Sequence, residues 1–206
     1  MKEGDALSIS VAGGKAKYER IVEWIIPDTR NEDGHLQRRE SDDEESSKDA
    51  WDAIRFRNPL GFPMTTCAAT FVARGCFVGQ TMSFFVNTGE QATLKVTKAL
   101  SIRTRSVEQE EGGNERPVAW IGDRNFRKVS VKGEVGVNNH RKEEIKMIIR
   151  RRFSGELVSA DGEPKKTLCE EGVYSVNPRE ELVWTLTLKP DEEKTFVYRY
   201  TVLVRH

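Results

Sequence analysis

The stretch TFVYRYTVLVR, from Thr195 to Arg205, decides the fold class of this chain. Its side chains alternate with the period of two that places successive residues on opposite faces of a β-strand. One face collects every aromatic residue of the stretch, and its members are Phe196, Tyr198, Tyr200, Val202 and Val204. We therefore predict a strand that packs this face into a core.

The segment just upstream, LVWTLTL at 182–188, alternates in the same way. Between the two segments, Pro190 and Asp191 are residue types that form turns. Together these features predict an antiparallel hairpin. The residues predicted to share one core are Trp184, Leu186, Tyr198, Tyr200 and Val202.

The same alternation recurs along most of the chain. The ranges that predict strands are 18–26, 94–102 and 129–137, with two more strands between 66 and 86 around Arg74-Gly75. Gly133 and Gly136 interrupt the strand at 129–137, which indicates a bulge or a close contact. Many short strands separated by turns favour a sandwich or a barrel.

The segment RKEEIKMIIRRRF, residues 141–153, allows two interpretations. Ile145, Ile148 and Ile149 have helical spacing, and Asn138-Asn139 ahead of them could cap a helix. The same residues also alternate as they would in a strand. Because the segment is short and its neighbours are strands, we predict a strand.

These patterns predict an all-β protein of antiparallel sandwich layers, immunoglobulin-like in its second half. Residues 28–49 are rich in charge and cannot bury enough apolar surface to offset the entropy of ordering, so we predict a disordered acidic loop there. The flexible stretch 108–116 is the predicted boundary. The first region is 1–107, and the immunoglobulin-like domain is 117–206.

Composition excludes several classes of protein. The 206 residues include 33 Lys and Arg against 33 Asp and Glu. This balance argues against a nucleic-acid partner, because nucleic acids favour strongly basic domains. No stretch approaches the roughly 20 apolar residues of a transmembrane helix. The start, MKEGDALSIS, lacks the apolar region of a signal peptide, so the compartment is left open. Three cysteines without a CxxC pair are too few for a disulfide scaffold.

Catalytic motifs are missing from the sequence. It contains no GxSxG, HExxH, GxxxxGK[ST] or GxGxxG pattern, so we predict no catalytic residue, no metal site and no cofactor. A nucleophile pair of Cys67 with His140 stays an alternative that needs distant residues to converge. The acidic run 42–45 could collect calcium, but a solvated run fits its pattern better because EF-hand spacing is absent.

Three residues are candidates for ligand binding. Trp120 and Asp123 lie in RPVAWIGD beside a glycine turn, and His140 lies beside another predicted turn. An exposed tryptophan could stack on a sugar, although large aromatics more often fill cores. The basic residues between Arg141 and Arg152 could form an anion patch, but charge on the solvent face of a sheet explains them better.

Two long stretches resemble a known family. They are WDAIRFRNPLGFPMTT (51–66) with VGQTMSFFVNTGEQATLKVTKALSIRTR (78–105), and the tail NPREELVWTLTLKPDEEKTFVYRYTVLV (177–204). Together they resemble the C-terminal β-rich domain of mucoidy-inhibitor-like bacterial proteins, a domain of unknown function. The resemblance implies an all-β fold and no established activity or catalytic residues. Its members often carry an N-terminal coiled coil and an export signal, and neither is visible in this sequence.

The function that these observations favour is a non-enzymatic binding or assembly module whose partner is a protein or a glycan, with oligomeric state open. The alternatives are a carbohydrate-binding module and a hydrolase with dispersed carboxylates. A flat apolar patch would favour assembly, an exposed Trp120 would favour sugar binding, and convergent carboxylates in a deep pocket would favour the hydrolase.

Overall fold

The structure is a computed structural model that describes residues 11–37, 49–112, 118–169 and 176–206. The prediction of an all-β fold is confirmed, since these residues form strands and no helix. The thirteen strands are β1 (Tyr18–Ile26), β2 (Trp51–Arg57), β3 (Cys67–Ala73), β4 (Cys76–Ser83), β5 (Gln91–Lys98), β6 (Ile102–Glu111), β7 (Val118–Ile121), β8 (Arg124–Asn139), β9 (Ile145–Ser154), β10 (Glu156–Ala160), β11 (Lys165–Leu168), β12 (Arg179–Leu188) and β13 (Glu193–Arg205).

The chain divides into two compact units. Unit 1 comprises Met1–Arg20 and Ala53–Thr97, and unit 2 comprises Ile21–Asp52 and Lys98–His206. This division differs from the predicted boundary at 108–116. The reason is that β6, which runs into that stretch, pairs with β8 from Ile102↔Asn139 to Glu111↔Ser130.

Unit 2 contains two sheets that share one core. Strands β11, β12, β9 and β1 lie side by side in one sheet, and β10, β13, β8 and β6 in the other, with β7 also paired to β8. Only β1 and β9 run parallel among the described pairs of this unit, with Val22 opposite Met147. Both sheets contribute side chains to a single buried cluster, and rings from the two sheets touch, as Phe153 and Tyr200 do at 4.7 Å between centroids.

The predicted core residues are confirmed, but the predicted hairpin is wrong. Trp184, Tyr198, Tyr200 and Val202 are buried in the unit 2 cluster, and Leu186 packs against it. However, β12 pairs with β9 and β11, whereas β13 pairs with β8 and β10. The two strands therefore face each other across the core and belong to different sheets.

Part of the predicted acidic loop has a defined structure. Residues 38–48 lie outside the described residues, whereas Arg30 and Leu36 form a β-bridge. The Arg30 side chain is buried and donates to the carbonyl of Gly34 at 2.8 Å. This turn is ordered because Arg205 N donates to the Asp33 carbonyl at 2.9 Å, which joins it to the end of β13.

Unit 1 has a smaller set of buried side chains. In it β2 lies beside β5, and β3 and β4 form a separate two-stranded sheet. Asn58 is buried and donates to the carbonyls of Phe62, Val86 and Asn87, while its side-chain oxygen accepts from Leu60 N. Asn58 thereby fixes the loop that leads into the hairpin, in the way that asparagine side chains commonly stabilise turns.

Candidate functional site

The β3–β4 hairpin of unit 1 follows the predicted pair of strands around Arg74-Gly75. Both turn residues have positive φ, 52° at Arg74 and 79° at Gly75, which is the geometry of the tight turn that joins antiparallel strands. The pairing runs from Cys67↔Ser83 to Ala73↔Cys76, with one irregularity after Phe71.

The hairpin has two unlike faces. On the inner face, Gly79 is buried, and a Cβ there would overlap the Val96 carbonyl oxygen, so β4 passes close to β5. Ser83 on the same face is 1% exposed. Cross-strand partners share a face and successive pairs alternate between the two faces, which assigns Ala68↔Met82, Thr70↔Gln80 and Val72↔Phe77 to the solvent side. We call this side the outward face, and its residues are Ala68, Thr70, Val72, Phe77, Gln80 and Met82.

The outward face carries no charged side chain. Arg74 is the only charged residue between Asn58 and Gly89, although 32% of the chain is charged. By contrast, the solvent side of β8 in unit 2 presents a series of polar and charged residues, namely Lys128, Ser130, Lys132 and Glu134. Charge on exposed strands prevents non-specific pairing, so its absence from the outward face distinguishes this hairpin from the solvent side of β8.

Large apolar side chains are exposed on and beside the outward face. Val72 is 65% exposed, Phe77 67% and Met82 50%. Four further apolar residues close to the hairpin in sequence are also exposed, namely Phe62, Val78, Phe84 and Phe85. Several large apolar side chains exposed together on one face are typical of an interaction site.

A buried charge network lies in unit 2. Arg151 donates to the Tyr198 hydroxyl at 2.7 Å and forms an ion pair with Glu108. Tyr198 and Tyr200 donate their hydroxyls to the two oxygens of Glu108, at 2.7 and 3.2 Å. Arg30 adds a second cation, with its Nε 3.4 Å from the Tyr200 hydroxyl.

The network shifts the pKa values of its titratable side chains. Burial alone raises the pKa of Glu108, but the charge and hydrogen bond of Arg151, together with the Tyr198 hydrogen bond and the Arg30 charge, outweigh it, so the pKa of Glu108 lies below its ordinary value. Burial raises the pKa of Tyr200 to about 12, and Glu108 adds to that rise. At neutral pH the network therefore holds a carboxylate, two guanidinium groups and two neutral phenols. These groups satisfy one another, which suits a role in fixing strands better than a role in proton transfer.

A polar cleft of about 970 Å³, lined in part by Arg30, also lies in unit 2 and brings carboxylates together. Glu181 accepts from Arg150 at 3.0 Å and from Arg152 at 2.9 Å, and Glu180 pairs with Lys166 at 2.6 Å. The Oε2 atom of Glu180 is buried and has no hydrogen-bond partner among the described residues. Because cations already neutralise these carboxylates, the cleft has the character of an ion-pair cluster.

The structure separates His140 from the other two ligand-binding candidates, Trp120 and Asp123. Trp120 is 72% exposed in β7, opposite Asn125, and Asp123 is exposed in the turn that follows. His140 is exposed just after the other end of β8, and the 16-residue length of that strand corresponds to roughly 50 Å at about 3.3 Å per residue. Trp120 and His140 therefore do not form one site.

The other sequence candidates are dispersed. Cys67 is exposed in unit 1, and His140 belongs to unit 2. Within the described residues, no group of three or more His, Cys, Asp and Glu could hold a metal ion. The acidic run 42–45 lies outside those residues. None of the described residues forms a helix with the length and apolar character needed to cross a bilayer.

Most of the basic segment after Asn139 is used in ion pairs. Arg141 makes two hydrogen bonds to Asp52, at 2.8 and 2.7 Å, and Arg150 pairs with Glu23 at 3.1 Å. Arg151 is buried in the network described above. These pairs support the structural explanation of the segment over an anion patch.

No family model, no curated protein sequence and no solved structure matches this chain. The outward face of the hairpin was missed in the search for catalytic and binding motifs. Its signal in the sequence is the run from Asn58 to Gly89, in which apolar residues are frequent and Arg74 is the only charge.

Proposed function

We propose that this chain is a non-enzymatic binding or assembly module that binds an apolar protein surface through the outward face of its β3–β4 hairpin. The observation that carries the proposal is the exposure of Val72, Phe77 and Met82 on a face without charge. Burying such side chains against a partner is favourable by roughly 25 cal/mol per Å² of apolar surface before the costs of association.

The exposure of the outward face of the hairpin also supports the proposal. An isolated two-stranded hairpin is at best marginally stable in water and gains stability from each face that packs. Here the inner face packs through Gly79 against Val96 of β5, while Val72, Phe77 and Met82 on the outward face are exposed in the part of the chain that the structure describes. A partner on that face would supply the second packing surface.

We further propose that unit 2 is an immunoglobulin-like sandwich and that the chain is related to the mucoidy-inhibitor-like C-terminal domain. Two sheets over a shared core support the first proposal, although the parallel β1–β9 pair is an addition to a purely antiparallel sandwich. The motifs of the tail at 177–204 support the second. Neither proposal assigns an activity.

A displayed library of random peptides tests the binding function without a known partner. We expect the chain to enrich uncharged peptides rich in apolar residues. A variant with Val72→Ser, Phe77→Ser and Met82→Ser should lose them, because it removes apolar area from the outward face alone. Trp120→Ser, an equally exposed position in unit 2, is the matched control and should retain them. Peptides that bind the triple variant as well as the wild type would contradict the proposal.

Carbohydrate binding stays a second candidate because Trp120 is 72% exposed and could stack on a sugar ring. A glycan array probed with the wild type and with Trp120→Ala tests it directly. Glycan binding that Trp120→Ala abolishes would favour this second function over the first.

A further inference from the structure

We infer that the partner of the outward face is a second copy of this chain, packed face to face about a two-fold axis. This inference rests on the proposed function and names its partner. It concerns unit 1 alone, through the hairpin residues Cys67–Ser83.

The lack of charge favours a self-complementary contact. About a two-fold axis each surface meets its own copy, so a charged side chain near the axis would oppose an identical charge. A face that binds a different protein can carry charges, because the partner can carry their opposites. The outward face instead has Thr70 and Gln80 as its polar residues, and both can hydrogen-bond to identical groups.

The position of Thr70 and Gln80 on the hairpin also favours a two-fold contact. Thr70 and Gln80 are cross-strand partners, and they lie between the turn at Arg74-Gly75 and the opposite end of the hairpin at Cys67↔Ser83. If the two outward faces overlap fully, this pair lies closest to the axis. Apolar side chains then surround it, with Met82 towards one end and Phe77 towards the other.

A dimer would bury more than the outward face itself. A standard protein interface buries about 800 Å² on each partner, whereas one aromatic side chain supplies about 150–250 Å². Val78 within the hairpin and Phe84 just after it are exposed apolar residues that can extend the contact.

A lipid bilayer fits the same surface less well. Its apolar residues extend along the hairpin from Phe77 to Phe84, whereas the tip carries Arg74. Segments that bind at a membrane surface are typically rich in Lys and Arg on their polar face, and Arg74 is the only charged residue of this hairpin. Vesicle binding is therefore included below as an outcome that opposes the inference.

Sedimentation of three forms of the full chain tests the inference. We expect the wild type to form a concentration-dependent dimer. Gln80→Lys and Gln80→Glu should each weaken it by roughly 100-fold, about 2.7 kcal/mol, because each places like charges at the axis. An equimolar mixture of the two variants should recover the dimer, since the opposite charges then meet. Far-UV circular dichroism checks that each variant is folded, and Ser130→Lys on the solvent side of β8 is the matched control that should leave the dimer unchanged.

Three results would overturn the inference: a monomeric wild type, a dimer that neither variant weakens, and variants whose mixture stays monomeric. Binding of the wild type to phosphatidylcholine vesicles in place of self-association would also overturn it. If the wild type is monomeric but its apolar peptides are lost in the triple serine variant, the inference fails while the proposed function stands.

Discussion

Gly133 illustrates how single residues set the core of unit 2. It lies in β8 opposite Tyr198, and a Cβ at this position would overlap the Tyr198 ring. The tyrosine cannot easily move away, because its hydroxyl is held by Arg151 and Glu108. The close contact expected from a glycine within a strand is therefore confirmed at Gly133.

This contact predicts the cost of a single methyl group. Gly133→Ala should destabilise the protein by roughly 1–3 kcal/mol through overpacking. Gly136→Ala is the matched control in the same strand, since its Cβ would find its nearest neighbour, Thr195 Oγ1, at an ordinary 3.6 Å. Urea unfolding measures both variants, and equal midpoints for the two would show that the Tyr198 ring is not fixed.

The buried network predicts a pH dependence. The pKa of Glu108 lies below its ordinary value, so its stabilising contribution is complete above the unfolded pKa and is lost as pH falls through the folded pKa. Glu108→Gln should cost roughly 3–5 kcal/mol at neutral pH, because it leaves the buried Arg151 charge without its counterion.

The same variant should lose less stability than the wild type as pH falls from about 5 to about 2, since it no longer has this carboxylate to protonate. Urea midpoints across that range measure the difference. Glu134→Gln is the control, because its pair with Arg105 at 3.2 Å is largely exposed and contributes about 0–1 kcal/mol. Parallel pH profiles for the wild type and Glu108→Gln would refute the role of Glu108.

At the scale of strands, the hairpin β3–β4 and the long strands of unit 2 should differ in local stability. The hairpin has one packed face, whereas β8 is paired on both sides, with β13 and with β6. Local opening requires less free energy where few apolar contacts are broken. We expect backbone amides of β3 and β4 to exchange with deuterium much faster than those of β8 in dilute protein, and to become protected as concentration rises. Equal protection of both elements at low concentration would contradict this account of the hairpin.

The strands could be predicted from sequence, whereas some of their partners could not. The alternation of apolar and polar residues predicts that Trp184 and Tyr198 lie in a core. The same alternation results whether their two strands pair side by side in one sheet or face each other across the core. Buried Asn139 decides between these arrangements by donating to the carbonyls of Leu188 and Lys189, at 3.2 and 3.0 Å. The connection between β12 and β13 therefore docks on the end of β8 and does not close a hairpin.

The candidate site could be predicted only in part. The turn at Arg74-Gly75 and the two strands beside it follow from local sequence. An uncharged run of apolar residues, however, describes a buried strand and an exposed binding face equally well. Only the three-dimensional structure distinguishes them, by leaving Phe77 and Met82 exposed.

For the molecule as a whole, we predict no nucleophilic or metal-dependent hydrolysis, because too few suitable catalytic groups are available. General acid-base chemistry needs a tuned group held beside its target, and the cleft carboxylates Glu180 and Glu181 are already paired with cations. We expect no turnover in a screen with ester, glycoside and phosphate substrates. His140→Ala and Cys67→Ala serve as controls, and turnover that either substitution abolishes would replace the binding module with an enzyme.

The interaction inferred for this chain joins two copies through the outward face of the hairpin. To test it most directly, a photo-reactive amino acid is placed at Gln80 on that face or at Ser130 on the solvent side of β8, followed by irradiation of the full chain. We expect crosslinked product from position 80, joining two copies of the chain, and none from position 130. Crosslinks that form equally at both positions, at 130 alone or at neither position would contradict this interaction.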